Sequence, residues 1–256
     1  MIQDLFPAPV AAFDGVRLPD EIRLLPGEEA AAAGMSAVRR ARFAAVRDCA
    51  RRGMRRLGEP PAAVPRGPRG APVWPAGLTG SMTHTRGYHA AAVARSGAVL
   101  SLGVDAEPDE PLRHPGMLPR VSLAAERAWV ARLSAERPGV SWDRLLFSAK
   151  ECVYKACAPV LGELGFADAL ITVDPVAGVF RARVAAPGRG GRCRVVSGRW
   201  LARDGLLVTA LVLWRPARDP TRPEGPADCP RAAPAGPGSG PPGPPCAGAP
   251  CGCCPG

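Results

Sequence analysis

Pro216 separates a part of this chain that can build a core from a part that cannot. From Pro216 onward, Pro and Gly supply 21 of the last 41 residues, and no apolar periodicity survives. A segment of this kind buries too little apolar surface to offset the entropy of ordering it. Residues 216–256 are therefore expected to form a disordered low-complexity tail. Five of the nine cysteines fall there: Cys229, Cys246, Cys251, Cys253 and Cys254. Their spacing fits no paired C-x-x-C zinc pattern, and reduced thiols are expected. A fold and any activity are thus expected within residues 1–215.

That part reads as α+β. Ser36 to Leu57 has the period of an amphipathic helix, with Phe43, Val46, Ala50, Met54 and Leu57 on one stripe. Its other side is basic: Arg39, Arg40, Arg42, Arg47, Arg51, Arg52, Arg55 and Arg56. Gly58 and Pro60 stop it. A Gly/Pro-rich loop runs from Pro65 to Pro75. Tyr88 to Ala94 and Ala98 to Asp105 read as a hairpin around Ser96-Gly97. Helices are predicted at Ser122 to Leu133 and Ser141 to Ala158. Strands follow near Ala169 to Asp174 and Val179 to Val184, then a hairpin from Cys193 to Trp214 around Asp204-Gly205. Each half has a helix followed by antiparallel strands, although no residue-level repeat relates them.

Composition narrows the classes of function. No run of ~18 uninterrupted apolar residues occurs, so no membrane-spanning helix is expected. The start, Met1 to Pro7, carries Asp4 where a signal peptide needs a basic region, so a cytoplasmic protein is expected. The net charge of +10 asks for an anionic partner: nucleic acid, a phosphorylated cofactor or an acidic protein. Within residues 1–215, no Gly-rich loop ending in Gly-Lys-Ser/Thr is present, nor G-x-G-x-x-G, H-E-x-x-H or G-x-S-x-G. Three histidines and scattered cysteines make no zinc site.

Three segments carry candidate chemistry. In Leu102 to Glu107, residues two apart on a strand share a face, which points Asp105 and Glu107 together. Adjacent carboxylates repel unless a proton or cation lies between them, and hard oxygen donors suit Mg²⁺. The plain alternative is a solvated strand end. In Phe147 to Lys155, Glu151 and Lys155 are one helical turn apart, a spacing that an ordinary surface ion pair also has. Yet only two of the 33 basic residues are lysines, Lys150 and Lys155, five positions apart. A compact ammonium differs from a guanidinium where one phosphate oxygen must be met in a confined site. Third, Thr83 and His84 in Gly80 to His84, ahead of the first hairpin, offer a hydroxyl and an imidazole to a phosphate. A histidine in a loop is otherwise an ordinary hydrogen-bonded residue.

Taken together, Gly80-Ser81-Met82-Thr83-His84, Asp105-Ala106-Glu107 and Ser148-Ala149-Lys150-Glu151 through Tyr154-Lys155 resemble the 4'-phosphopantetheinyl transferases. They are most similar to the EntD-like branch of the Sfp type. The resemblance extends through Arg39 to Arg56, Gly67 to Pro75 and Trp142 to Phe147, covering roughly residues 35 to 185. It implies a pseudo-twofold pair of α+β halves, residues 1–108 and 109–215, with coenzyme A between them. It also implies transfer of phosphopantetheine from coenzyme A to a serine of an acyl, aryl or peptidyl carrier protein, releasing 3',5'-ADP.

By the same resemblance, Asp105, Glu107 and Glu151 hold Mg²⁺, and Lys155 contacts the pyrophosphate. Arg39, Arg47, Thr83 and His84 grip the 3'-phosphate and pyrophosphate, Arg66 stands beside the nucleotide, and Lys150 and Tyr154 edge the pantetheine channel. Glu151 and Lys155 are the expected catalytic pair, with Glu151 also able to take the serine proton. A monomer is expected. Two departures from the family pattern are Arg42, where an acid is usual, and Cys157-Ala158, where bulky aromatics are usual. The competing reading is a basic nucleic-acid-binding module without enzymatic activity. It explains the charge but neither the carboxylates nor the paired lysines, and aromatics for base stacking are scarce.

Overall fold

Ala90 to Ala94 is a run of small apolar residues, and a strand can bury such a run only when both its faces are covered. The computed structural model describes residues 1–18, 23–114, 116–185 and 193–216. The tail expected to be disordered lies outside the described residues from 217 on. Among those described, β3 (Tyr88–Arg95) is the centre of a three-stranded antiparallel sheet, flanked by β1 (Ala11–Gly15) and β2 (Leu78–Thr85). A second antiparallel sheet has five strands. Its order is β4 (Val99–Pro108), β8 (Leu206–Trp214), β7 (Cys193–Arg203), β6 (Val179–Ala185) and β5 (Ala169–Asp174).

Alternation along β3 feeds two cores. Ala91 and Val93 pack with Cys49, Ala50 and Met54 of α2 (Ala37–Arg56). Ala90, Ala92 and Ala94 face the other way and pack with Leu102, Val104 and Ala106 of β4 and Val208 and Ala210 of β8. The far face of the larger sheet is covered by α4 (Ala124–Glu136) and α5 (Trp142–Leu161), through Leu145, Leu146, Ala149, Cys152 and Val153. The layers therefore run helix, sheet, sheet, helix, and each sheet is backed by one helix of 20 residues. Two short helices, α1 (Glu29–Ala32) and α3 (Met117–Val121), complete the set. This is the α+β class that the sequence predicts. Among the described residues, no helix is long and apolar enough to cross a membrane.

The predicted helices and the strands from Ala169 onward match α2, α4, α5, β5 and β6 to within a few residues. The hairpin around Asp204-Gly205 joins β7 and β8 as expected. Both turn residues have positive φ, 54° and 71°, which suits the twist of a two-residue hairpin loop. The hairpin expected around Ser96-Gly97 is not one. β3 pairs with β1 and β2, and β4 pairs with β8. Both strands bury alternate residues in a shared core, so the short link carries the chain from one sheet to the sheet stacked on it. Gly80 to His84, read as lying ahead of the strands, is itself in β2 and pairs with β3.

β4 can lie so close to α5 because residue 103 has no side chain. A Cβ at Gly103 would stand 2.1 Å from the carbonyl oxygen of Cys152, a backbone atom that cannot move without shifting the helix. Gly103→Ala is therefore expected to destabilise the protein by about 1–3 kcal/mol through overpacking. Urea unfolding checks this, and an unchanged midpoint would show that the helix gives way freely.

Candidate functional site

The approach at Gly103 sets what comes two residues later. Asp105 and Glu107 share the face of Gly103, which is the face toward α5. The predicted helix presents Glu151 and Lys155 there, one turn apart. The Lys155 ammonium donates to Asp105 Oδ1 at 2.7 Å and to the carbonyl of Val104 at 3.1 Å. Burial works against its charge, but Asp105 and then Glu151 outweigh it and raise its pKa. Two of its three N–H donors are used, which leaves one for an anion.

β2 and β4 are edge strands of different sheets, yet they lie side by side. Hydroxyls take the place of a ladder between them. Ser81 Oγ accepts from the Val104 N–H at 3.1 Å, and Thr83 Oγ1 accepts from the Ala106 N–H at 3.2 Å. Thr83 Oγ1 also donates to Asp105 Oδ1 at 3.2 Å. Its hydroxyl thus aims the carboxylate and is committed within the protein, whereas the sequence assigns it to a phosphate.

Asp105 is 5% exposed, and its Oδ2 has no hydrogen-bond partner. Buried polar atoms are rarely left so. Glu107 accepts from Arg144 Nη1 at 3.1 Å. Its carboxyl pKa is raised by burial and then by Asp105, against Arg144 and Lys155. Burial likewise raises Glu151, with Lys155 opposing and Asp105 adding. The three expected metal ligands therefore share one electrostatic neighbourhood centred on Asp105. Among the described residues, however, no three His, Cys, Asp or Glu side chains converge closely enough to hold a metal ion. The donors fit a hard cation in kind, and Asp105 Oδ2 is an acceptor ready for one.

Beside this cluster opens a cavity of about 830 Å³. Arg39, Arg42, Arg47 and Arg66 line it from α2 and the Gly/Pro loop, and Glu151, Tyr154 and Lys155 line it from α5. Arg42, a departure from the family pattern, is thus a fourth guanidinium in the wall. Gly80 shapes the floor: a Cβ there would meet the Trp74 ring and the Ala92 carbonyl, each at 2.6 Å. His84 also lines the cavity, and its pKa is lowered by burial and by the charges of Arg42 and Lys155. An anion in the cavity would offset those charges and raise it.

Besides Thr83, two expected residues are engaged in the structure's own bonding. Lys150 donates to the carbonyls of Phe166 and Ala169 at 2.6 and 2.8 Å and pairs with Glu126 at 2.8 Å. With all three donors spent, its ammonium holds α4, α5 and β5 together and is not offered to a ligand, although Lys150 and Tyr154 border a second cavity of about 240 Å³. Arg47 is buried and donates to the carbonyls of Val64 and Phe43 at 2.9 and 3.1 Å. Sequence reasoning missed Glu28, Glu126 and Arg144, the ionic partners of Arg51, Lys150 and Glu107. Glu126 and Glu28 each have a local partner, since Oε2 accepts from the N–H three residues earlier, Leu123 and Leu25 respectively, ahead of α4 and α1.

Residues 27–94 match the family described as 4'-phosphopantetheinyl transferase N-terminal domain, and residues 101–200 match the 4'-phosphopantetheinyl transferase superfamily. Three curated proteins are similar over most of the chain. The 4'-phosphopantetheinyl transferase Svp of Streptomyces mobaraensis is 51% identical over 203 residues, covering 77% of this chain and 82% of Svp. The 4'-phosphopantetheinyl transferase Npt of Nocardia iowensis is 40% identical over 223 residues, 82% of this chain and 99% of Npt. The 4'-phosphopantetheinyl transferase PptT of Mycobacterium tuberculosis is 42% identical over 203 residues, 76% of this chain and 88% of PptT.

The framework role of Lys150 should show in stability measurements. Lys150→Met leaves Glu126 buried without its cation, which typically costs about 3–5 kcal/mol. The double variant Lys150→Met/Glu126→Gln, which removes the stranded charge but keeps a side-chain acceptor near the Leu123 and Ile171 N–H groups, should recover part of the loss. Urea unfolding of both variants checks this. A small loss for Lys150→Met would show that the ammonium is not the tie described.

Proposed function

Because this chain belongs to the 4'-phosphopantetheinyl transferase superfamily, we propose that its arginine-walled cavity holds coenzyme A, with the Asp105–Glu151–Lys155 cluster at the reacting phosphate. The protein is an enzyme that transfers phosphopantetheine to carrier proteins, which sets aside the non-enzymatic basic module. The observation that carries the proposal is that one cavity gathers the charges phosphoryl transfer needs. Four guanidiniums from α2 and the Gly/Pro loop line it together with Glu151 and Lys155 of α5.

The 3'-phosphate and pyrophosphate of coenzyme A are the anions that Arg39, Arg42, Arg47, Arg66 and His84 would meet. Tyr154, on the border of both cavities, would flank the pantetheine arm. In the reaction, the carrier serine Oγ forms a bond to the phosphorus that bears pantetheine, and the P–O bond to 3',5'-ADP breaks. Such transfers depend on alignment and on charge stabilisation. Lys155, with one N–H to spare, stabilises the departing phosphate oxygen, while Thr83 and Lys155 keep Asp105 aimed. Glu151, in the cavity wall one helical turn from Lys155, accepts the serine proton.

Mg²⁺ suits the donor set, and Asp105 through Oδ2, with Glu107 and Glu151, would hold it. When bound, it supplies a cation that neutralises charge on the phosphate oxygens. Residues 1–108 and 109–215 are then the two transferase halves, each containing a 20-residue helix, and the enzyme is a cytoplasmic monomer of the EntD-like branch.

Equilibrium binding of coenzyme A and of its 3'-dephospho form tests the cavity assignment. Arg39→Ala or Arg66→Ala should weaken coenzyme A binding by roughly 10- to 150-fold, the value of one charge-assisted contact. The loss should be much smaller for the 3'-dephospho form if the arginine holds the 3'-phosphate. Unchanged affinity for coenzyme A in both variants would move the cofactor out of this cavity.

A further inference from the structure

A wall of guanidiniums repels itself, and it keeps its shape only if something on the protein side holds it. Arg47 shows the strain most clearly. Burial pushes its pKa down to about 10, with Arg51 and Arg66 adding to the effect and Glu28 opposing it. Its position is nevertheless narrowly defined: Nε and Nη1 donate to two backbone carbonyls, and the guanidinium carbon lies 3.2 Å from the centre of the Phe43 ring.

Glu28 is fully buried and does not line the cavity. Its Oε1 accepts from the Val64 N–H at 2.9 Å and from Arg51 Nη1 at 3.1 Å. Its Oε2 accepts from the Leu25 N–H at 3.0 Å and from Arg51 Nη1 at 3.2 Å. Arg47 Nε stands 3.9 Å from Oε1. Val64 is the shared element, since its N–H is held by Glu28 while its carbonyl holds Arg47. One carboxylate therefore supplies countercharge for Arg47 and also anchors Val64, the residue whose carbonyl aims it.

We propose that Glu28 is a positioning residue for the phosphate-binding wall, setting coenzyme A affinity through Arg47 without touching the cofactor. The inference rests on the reading of that wall as the coenzyme A site. It is specific about direction: a lost countercharge should impair recognition of the cofactor and leave the transfer step, which is handled at Lys155 and Asp105, close to its normal rate.

The test uses the full chain and steady-state transfer to an apo carrier protein. Glu28→Gln keeps the size of the side chain and one carbonyl acceptor but removes the charge. KM for coenzyme A should rise roughly tenfold while kcat stays within about twofold. In an Arg47→Ala background the same change should add less than about twofold, because the route through Arg47 is already broken. An unchanged KM, a fall in kcat without a rise in KM, or a full tenfold rise in the Arg47→Ala background overturns the proposal. Should Glu28→Gln fail to fold, Glu28→Asp, which keeps the charge but withdraws it from the Val64 N–H, tests the positioning role: KM should rise with kcat unchanged, and an unchanged KM overturns the proposal. Arg66→Ala serves as the control. If it leaves KM unchanged, the cofactor reading of the wall fails; if it raises KM and Glu28→Gln does not, only the role given to Glu28 fails.

Discussion

One buried carboxylate joins the three elements that make the site. Asp105 of β4 takes the Lys155 ammonium of α5 on Oδ1, and the Thr83 hydroxyl of β2 reaches the same oxygen. An unpaired carboxylate at this depth would be costly, and partners from both sides offset that cost. The pairing is possible only because Gly103 lets α5 close onto β4. The second oxygen of Asp105 is buried without a partner, so the protein satisfies one oxygen of this carboxylate and leaves the other unpaired. This asymmetry is what a site needs when a cation or substrate must complete it.

The positive charge of the chain divides into two kinds of arginine. Arg51 is spent on Glu28, Arg52 lies over the Phe13 ring and Arg144 holds Glu107, so each stabilises the framework. Arg39, Arg42 and Arg66 line the cavity, and Arg47 belongs to both groups. Part of the charge near the site is thus neutralised from the protein side, and part faces the cavity where an anion would meet it.

Features set by local periodicity were legible in the sequence. The shared face of Asp105 and Glu107, the helical turn from Glu151 to Lys155 and the Asp204-Gly205 hairpin depend only on neighbouring residues. Features set by contacts between distant segments were not. The Val64 N–H is bonded by a carboxylate 36 residues away, and the hydroxyl contacts between β2 and β4 join strands of different sheets. The false hairpin at Ser96-Gly97 has the same origin, because a turn signal shows that the chain reverses but not whether the next strand pairs or stacks. Lysine scarcity was half informative. It drew attention to Lys155, which borders the cavity, and equally to Lys150, whose three donors are satisfied within the fold.

The account places the transfer step on Lys155 and the carboxylates around it, and intact-mass analysis of the acceptor reads that step directly. With the unaltered chain, coenzyme A and Mg²⁺, an apo acyl or peptidyl carrier protein should gain the phosphopantetheine mass of ~340 Da on its serine. With Lys155→Ala the gain should nearly vanish, and Lys155→Arg should restore only part of it, since a longer planar guanidinium cannot take the place of a compact ammonium between Asp105 and the phosphate. A carrier protein converted by Lys155→Ala at the unaltered rate would contradict the assignment.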